Sequence, residues 1–170
     1  MIADDEIHQH YSDLLRNSGT AIYGRITYQL MEYWRSVLEN PTGIKAMDEF
    51  AVAMDNIPKI VFSHTLKDVE WKTAKLAKRD LKEEVLELKQ SRNGGSKDIL
   101  VGSPSLIVAL TQLGLIDEYQ LGVQPTVVES GLPLFKNITD RVDLKLLKTK
   151  TFGCGALMLY YASTGQNREQ

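Results

Sequence analysis

Residues 98–135 limit the folds open to this chain more than any other stretch. The segment starts with Ile99-Leu100-Val101, a short, apolar, β-branched run of the kind that forms a strand buried on both faces. Gly102 breaks the run, and Ser103-Pro104 reads as a helix start. Ser103 is a good N-cap, and Pro104 suits the first helical position, where its missing N–H would have been unpaired anyway. Leu106, Ile107, Leu110 and Leu113 then recur at helical spacing up to Gly114, a natural helix stop. Directly afterwards Tyr119, Leu121 and Val123 alternate with Glu118, Gln120 and Gln124, the two-residue period of a strand. Strand, Gly-Ser turn, helix and strand make a βαβ unit. Its first turn is where an open α/β sheet usually receives a phosphate, because free N–H groups and the positive helix end meet there.

The rest of the chain repeats this grammar. Residues 4–17 form an amphipathic helix capped by Asp4, with Ile7, Tyr11, Leu14 and Leu15 on its buried face and Gly19 just past its end. Residues 20–23 are a short strand ending at Gly24. Arg25 then opens a helix whose apolar positions are Ile26, Leu30, Met31 and Trp34. Residues 45–56 form a second amphipathic helix with Met47, Phe50, Ala51 and Met54 inward. Ile60-Val61-Phe62 is another buried-type strand, ending at Ser63-His64-Thr65. Residues 69–75 hold one weak strand. Residues 80–90 form a helix with an acidic capping pair, Asp80 and Glu83, and residues 92–96 are a flexible turn. Residues 141–152 and 155–162 alternate around Gly153-Cys154 as an antiparallel hairpin, and residues 164–170 are a polar tail.

This order predicts one α/β domain over residues 1–170, with a mixed, largely parallel sheet, helices on both faces and a C-terminal antiparallel hairpin. Ile99-Leu100-Val101 is expected inside that sheet, not at its edge. Composition narrows the function. A net charge of −2, with lysines dispersed among acids, argues against a nucleic-acid partner. No apolar run approaches the ~18 residues of a membrane helix and no signal peptide is evident, so the chain reads as cytoplasmic. Cys154 is alone, and His8, His10 and His64 lack metal-ligand spacing, so no metal is expected.

In a parallel sheet the strand C-termini gather on one edge, which would bring three segments together: Gly24-Arg25-Ile26-Thr27, Ser63-His64-Thr65 and Gly102-Ser103-Pro104-Ser105. They offer two helix N-termini, several hydroxyls and one guanidinium, a suitable cradle for a pyrophosphate and a further phosphate. Each piece also has an ordinary reading. Arg25 can be a solvated residue of a routine β–α turn, and the Ser63 and Thr65 hydroxyls can simply bond their own backbone.

Gly24-Arg25-x-Thr27, the strand end Ile60-Val-Phe-Ser63-x-Thr65, and Ile99-Leu-Val-Gly102-Ser103 resemble the three cofactor segments of the dihydrofolate reductase-like fold. Gly114-Leu-Ile-Asp117-Glu118 and Gly131-Leu-Pro133-Leu134-Phe135 look more like its riboflavin-biosynthesis relatives, the reductase domain of the bifunctional deaminase/reductase and its small stand-alone kin. The resemblance implies an NADPH site. Gly24, Arg25 and Thr27 would lie at the cofactor phosphates, with Arg25 on the 2′-phosphate. Ser63 and His64 would lie on the adenosine side. Gly102 and Ser103 would pass beneath the pyrophosphate and nicotinamide ribose, with Ser105 and Leu106 starting the supporting helix. Physical chemistry agrees, since the planar guanidinium fork matches a phosphate and glycine permits close backbone approach.

The chain departs from the family pattern in three places. Ser103 stands where relatives have a second glycine, and Glu129 where they have a glycine. Relatives also begin with an additional strand carrying a Ser-x-Asp-Gly-like segment, whereas this sequence starts at Met1-Ile-Ala-Asp4, inside the next element. The first strand is therefore expected to be absent, leaving an uncovered sheet edge, a poor enzyme, and a tendency to aggregate or swap. No catalytic acid can be named. The leading expectation is an NADPH-dependent reductase of a small heterocyclic or carbonyl substrate, acting as a homodimer. The competing one is a non-catalytic homodimeric nucleotide-binding member of the fold, and a true folate reductase ranks third because no acidic substrate anchor is evident.

Overall fold

The computed structural model describes residues 4–91 and 97–164. Among these the chain runs α1 (Asp5–Asn17), β1 (Ser18–Gly24), α2 (Arg25–Met31), α3 (Tyr33–Glu39), α4 (Lys45–Asn56), β2 (Lys59–Phe62) and β3 (Ala74–Leu76). It continues with α5 (Leu81–Gln90), β4 (Asp98–Val101), α6 (Pro104–Gln112), β5 (Glu118–Val123), β6 (Leu144–Thr151) and β7 (Leu157–Ser163). The turn expected at 92–96 and the tail at 165–170 lie outside the described residues.

The expected α/β architecture is present, with its strands divided between two sheets. One is entirely parallel, in the order β3-β2-β1-β4, and the other is antiparallel, in the order β5-β7-β6. Residues 5–106 and 107–164 form two compact units, the first containing the parallel sheet and the second the antiparallel one.

In the first unit β1 is hydrogen-bonded on both sides, with Ala21 level with Lys59 of β2 and with Leu100 of β4. Its alternation serves two faces. Ala21 and Tyr23 join Val61, Leu15, Tyr28, Ala53, Met54, Ile57 and Trp71 in one buried cluster, which places α1, α2 and α4 on that face. Ile22 and Ile60 are buried from the opposite side, where Ile60 and Thr20 share a cavity wall with Leu88 of α5. The α5 start follows the expected capping chemistry, with the Asp80 carboxylate accepting the Glu83 N–H at 2.9 Å.

Three local expectations are corrected. Ile99-Leu100-Val101 is an edge strand and only half-buried, because β4 pairs with β1 alone among the described strands. β5 leaves the parallel sheet and pairs antiparallel with β7, so β4, α6 and β5 are not a parallel βαβ unit. The polar/apolar alternation of β5 suits a strand with one solvated face, which antiparallel sheets allow and buried parallel sheets do not. Finally, only part of the apolar stripe expected after Gly24 faces the core: Met31 and Trp34 (the latter on α3) pack against it, and Ile26 and Leu30 do not. Ile26 and Leu30 are 65% and 64% exposed, and Tyr28, two positions from each, is the buried residue. The Tyr28 hydroxyl accepts the Trp71 N–H at 3.4 Å, which ties this face of α2 to the core.

The second unit closes α6 with a Schellman pattern. Leu115 N–H donates to Leu110 C=O at 2.9 Å and Gly114 N–H to Thr111 C=O at 3.0 Å, with Gly114 at φ 65°. The expected hairpin is β6–β7, with a bulge between Leu146 and Lys148. On the unit's inner side the Thr111 and Tyr119 hydroxyls meet at 2.9 Å in a buried pair.

One buried group was not anticipated. Lys59, at the start of β2, is 1% exposed. Its ammonium donates to Ile57 C=O at 2.9 Å, Asp55 C=O at 3.3 Å and Thr73 Oγ1 at 2.8 Å, and lies 4.1 Å from the centre of the Trp71 ring. Burial pulls its pKa down from 10.5 to about 8, a fall only partly opposed by the negative charge of Asp55. Below pH 8 both folded and unfolded states carry this proton and folding bears the full cost of burying it. Between about pH 8 and 10.5 the unfolded state binds more protons, so this group makes stability rise with pH. Unfolding free energy at pH 8 and pH 10 should therefore rise in wild type by on the order of 1–3 kcal/mol relative to Lys59→Met. Parallel profiles for the two proteins would remove Lys59 from the account.

Candidate functional site

The three segments singled out in the sequence do share one edge of the parallel sheet. β1 lies between β2 and β4, with Gly24 level with Phe62 and Ile22 level with Val101. The turns after the three strands, at Gly24, Ser63 and Gly102, therefore stand side by side.

The middle turn has the fewest side chains. Gly24 is the N-cap of α2 in extended backbone, with no side-chain cap bond to the helix. The first N–H groups of α2 thus have no side-chain partner there. Arg25 and Ile26 are exposed and Thr27 is half-buried on this first turn. The guanidinium of Arg25 donates to the Gln29 Oε1 atom at 3.3 Å, an exposed i,i+4 contact within α2. Such a contact is worth only tenths of a kcal/mol, so Arg25 can readily turn to a stronger anionic partner.

The flanking turns differ in character. After β2, Ser63 Oγ accepts the N–H groups of Thr65 at 3.1 Å and Leu66 at 2.9 Å. This is the ordinary turn chemistry that the sequence left open, and His64 is exposed on the same turn. After β4, Gly102 is exposed and the nearest atom to a side chain added there would be Tyr23 Cε1 at 3.9 Å, so the space above it is open. Ser105 is exposed and Leu106 half-buried at the start of α6.

Ser103 departs from its expected place. It is 1% exposed, and its Oγ accepts the Gly24 N–H at 2.8 Å. The hydroxyl expected to cap α6 and pass beneath a pyrophosphate is instead a tie between the β4 and β1 turns. The reason is distance in space: β4 and β1 are paired, so the residue after β4 meets the backbone at the end of β1. A Cβ added at Gly24 would lie 3.6 Å from Ser105 Oγ and 3.8 Å from Ser103, ordinary contact distances, so the turn packs closely against the β4 side without requiring glycine.

Tyr23, beneath Gly102, was not picked out from the sequence. Its hydroxyl reaches only the Met54 sulfur, at 3.5 Å, and burial pushes its pKa up to about 12. It stays protonated at physiological pH and donates to that sulfur. Gln29, which holds Arg25, could have been found from its i,i+4 spacing. Among the described residues no group of three or more His, Cys, Asp or Glu side chains could hold a metal ion, and no helix is long and apolar enough to cross a membrane.

A parallel sheet whose β1, β2 and β4 turns share one edge, followed by an antiparallel three-stranded sheet, is the dihydrofolate reductase-like class of fold. Solved structures agree. A candidate riboflavin biosynthesis protein of Shewanella sp. PV-4 is similar with a TM-score of 0.67 at 17% identity, over 89% of this chain and 77% of that one. RibD of Acinetobacter baumannii is similar with a TM-score of 0.63 at 17% identity, over 96% of this chain and 52% of RibD, so the match spans about half of that protein. More narrowly, the chain belongs to the RibD C-terminal domain family, which matches residues 1–158. The uncharacterized protein YyaP of Bacillus subtilis (strain 168) is 32% identical over 91% of this chain and 79% of its own length.

The Ser103–Gly24 tie generates a prediction. Ser103→Ala leaves a half-buried N–H without its acceptor and should lower unfolding free energy by about 0.5–1.5 kcal/mol in denaturant titrations. An unchanged midpoint and slope would show that the turn satisfies Gly24 another way.

Proposed function

We propose that this chain is an NADPH-dependent reductase acting on a small heterocyclic or carbonyl substrate in the cytoplasm. The observation that carries the reading is the side-by-side placement of the Gly24, Ser63 and Gly102 turns, with an exposed Arg25, in a member of the RibD C-terminal domain family. The residues present fit a dinucleotide. The start of α2 lacks a side-chain cap, Gly102 leaves open space, and Arg25 holds only a weak neutral partner. Arg25 and Thr27 would hold phosphate, with Arg25 on the 2′-phosphate. Ser63 and His64 would flank the adenosine end, and Gly102, Ser105 and Leu106 would support the pyrophosphate and ribose. Ser103 contributes by fixing the two turns to each other. When bound, the cofactor supplies the hydride; the protein supplies orientation and electrostatics.

A non-catalytic, nucleotide-binding member of the fold is the second reading. The motivating observation is chemical: the three turns present hydroxyls, an arginine and an imidazole, but no carboxylate, and the nearby phenol of Tyr23 is held neutral. NADPH fluorescence titration and NADPH oxidation assays separate the two, since binding without turnover on any carbonyl or heterocycle tested favours the second. A charge-assisted bond to the 2′-phosphate is worth about 1.5–3 kcal/mol, so Arg25→Ala should weaken NADPH binding roughly tenfold or more while sparing NADH. Equal losses for both cofactors, or none, would remove Arg25 from the 2′-phosphate.

The proposal includes a homodimer. Uncharged exposed residues in the second unit support it: Val123, Leu146 and Leu157 lie on one face of the antiparallel sheet and are 47%, 50% and 37% exposed. Sedimentation equilibrium should give a dimer for wild type and a monomer for Leu146→Glu combined with Leu157→Glu. A wild-type monomer at micromolar concentration would end this part of the reading.

A further inference from the structure

The antiparallel sheet has two unlike faces. Residues paired across β5, β7 and β6 lie on the same face, so the register assigns each one. One face carries Glu118, Lys145, Lys148 and Lys150. The other carries Leu121, Val123, Leu146, Leu157, Leu159 and Tyr161, and no paired residue on it is charged. β7 is the central strand, yet Leu157 is 37% exposed, and Leu159 and Tyr161 are only half-buried. A solvated face of an antiparallel sheet is ordinarily polar, and this one is not.

The segment joining β5 to β6 displays apolar side chains as well. Residues 124–143 contain no helix or strand, which is long for a connection without a role of its own. Both ends are held. Pro125 lies against the β6–β7 turn, 3.6 Å from where a Cβ on Gly155 would stand. Further on, the Phe135 ring meets the Tyr119 ring at 6.0 Å, and Asn137 C=O accepts the Gln112 side-chain amide at 2.8 Å. Between these anchors every residue from 126 to 134 is exposed, and Val127 and Leu132 are each 99% exposed. Aliphatic side chains left in water to this extent, on a stretch fixed at both ends, mark a contact surface.

We propose that residues 126–134 of one copy pack onto the uncharged sheet face of a second copy, each chain giving its segment and receiving its partner's. This contact presupposes the homodimer and specifies how it is built. Val123, Leu146 and Leu157, each about half-exposed, offer only a small part of the ~800 Å² per partner that a stable interface buries. Packing those side chains against their own copies therefore falls short, and the segment supplies the further apolar area. Segment and face belong to the same compact unit, so a two-fold axis uses both of them twice. Charge points to the same occupant. Residues 124–135 contain Glu129 and no Lys or Arg, which leaves nothing to hold an anionic lipid surface and suits a face without charges. Glu129 is exposed and can stay at the polar rim.

Two variants of the full chain test this. Val127→Asp combined with Leu132→Asp disables the segment at side chains that meet almost nothing of their own chain, so the fold is spared. Leu146→Glu combined with Leu157→Glu disables the face. In sedimentation equilibrium each variant alone should be monomeric, its dimer dissociation constant raised roughly hundredfold or more. An equimolar mixture should associate more strongly than either component, because the intact segment of one variant meets the intact face of the other. Cross-linking keeps the test independent of how the glutamates are tolerated. Cys154→Ser carrying Val127→Cys, mixed with Cys154→Ser carrying Leu146→Cys, should give more covalent dimer with a short bismaleimide than either protein alone. A segment variant as dimeric as wild type would overturn the contact and leave the homodimer standing. So would mixed pairs that neither associate nor cross-link above their components. A monomeric wild type would remove both.

Discussion

Parallel pairing of β1 on both of its edges is the constraint on which the candidate site depends. A strand paired on two sides must satisfy its backbone through neighbours far away in sequence, here residues 59–62 and 98–101. Because all three strands run the same way, their C-terminal turns are forced onto one edge. The glycine at the end of β1 then packs against the turn after β4. Gly24 meets Ser103 and Ser105 from the β4 side, and the hydroxyl of Ser103 takes its N–H. The same contact that occupies one backbone donor of the candidate site also ties two of its turns together. The start of α2, which has no side-chain cap, and the exposed Arg25 are not tied to the other turns.

The two ends of this sheet solve different electrostatic problems. At the C-terminal ends of the strands the polar groups are open and the one strong cation is exposed. At the N-terminal ends a lysine is driven into the interior, held by carbonyls from the close of α4 and by an indole ring. Helix C-terminal carbonyls are a favourable place for a cation, since the unpaired C=O groups carry the negative end of the helix dipole. That field and three hydrogen bonds keep Lys59 in place, yet they fall short of full compensation, and its pKa stays below that of a lysine in water. The fold thus stores positive charge at one end and displays it at the other.

Local chemistry was legible in the sequence wherever a feature depends on residues a few positions apart. The Asp80 cap on Glu83, the stop at Gly114, the break at Gly24 and the β6–β7 hairpin all fall there. These follow from dihedral preferences and short-range hydrogen bonds, which the neighbouring residues settle among themselves. The order of strands and helices followed too, and with it the prospect of three turns on one edge. Residues 24–27, 63–65 and 102–105 could be proposed as a set for that reason alone.

Partner choice was decided only by tertiary structure. Ser103 had the sequence of a helix cap, but its hydroxyl bonds a residue 79 positions away because β4 lies against β1. Ile26, Leu30, Met31 and Trp34 had the spacing of one buried stripe, yet the core takes Tyr28, tied to the Trp71 N–H, together with Met31 and Trp34, and leaves Ile26 and Leu30 exposed. β5 was apolar and alternating enough for either sheet, and its antiparallel register with β7 settled the matter. Lys59 carried no sign of burial, because lysine is ordinarily a surface residue and its environment is assembled from α4, β2, Trp71 and Thr73. The physical reason is common to all four. Propensity and periodicity act over one or two turns of chain, while burial and hydrogen-bond pairing are settled among segments that meet only after the sheet has formed.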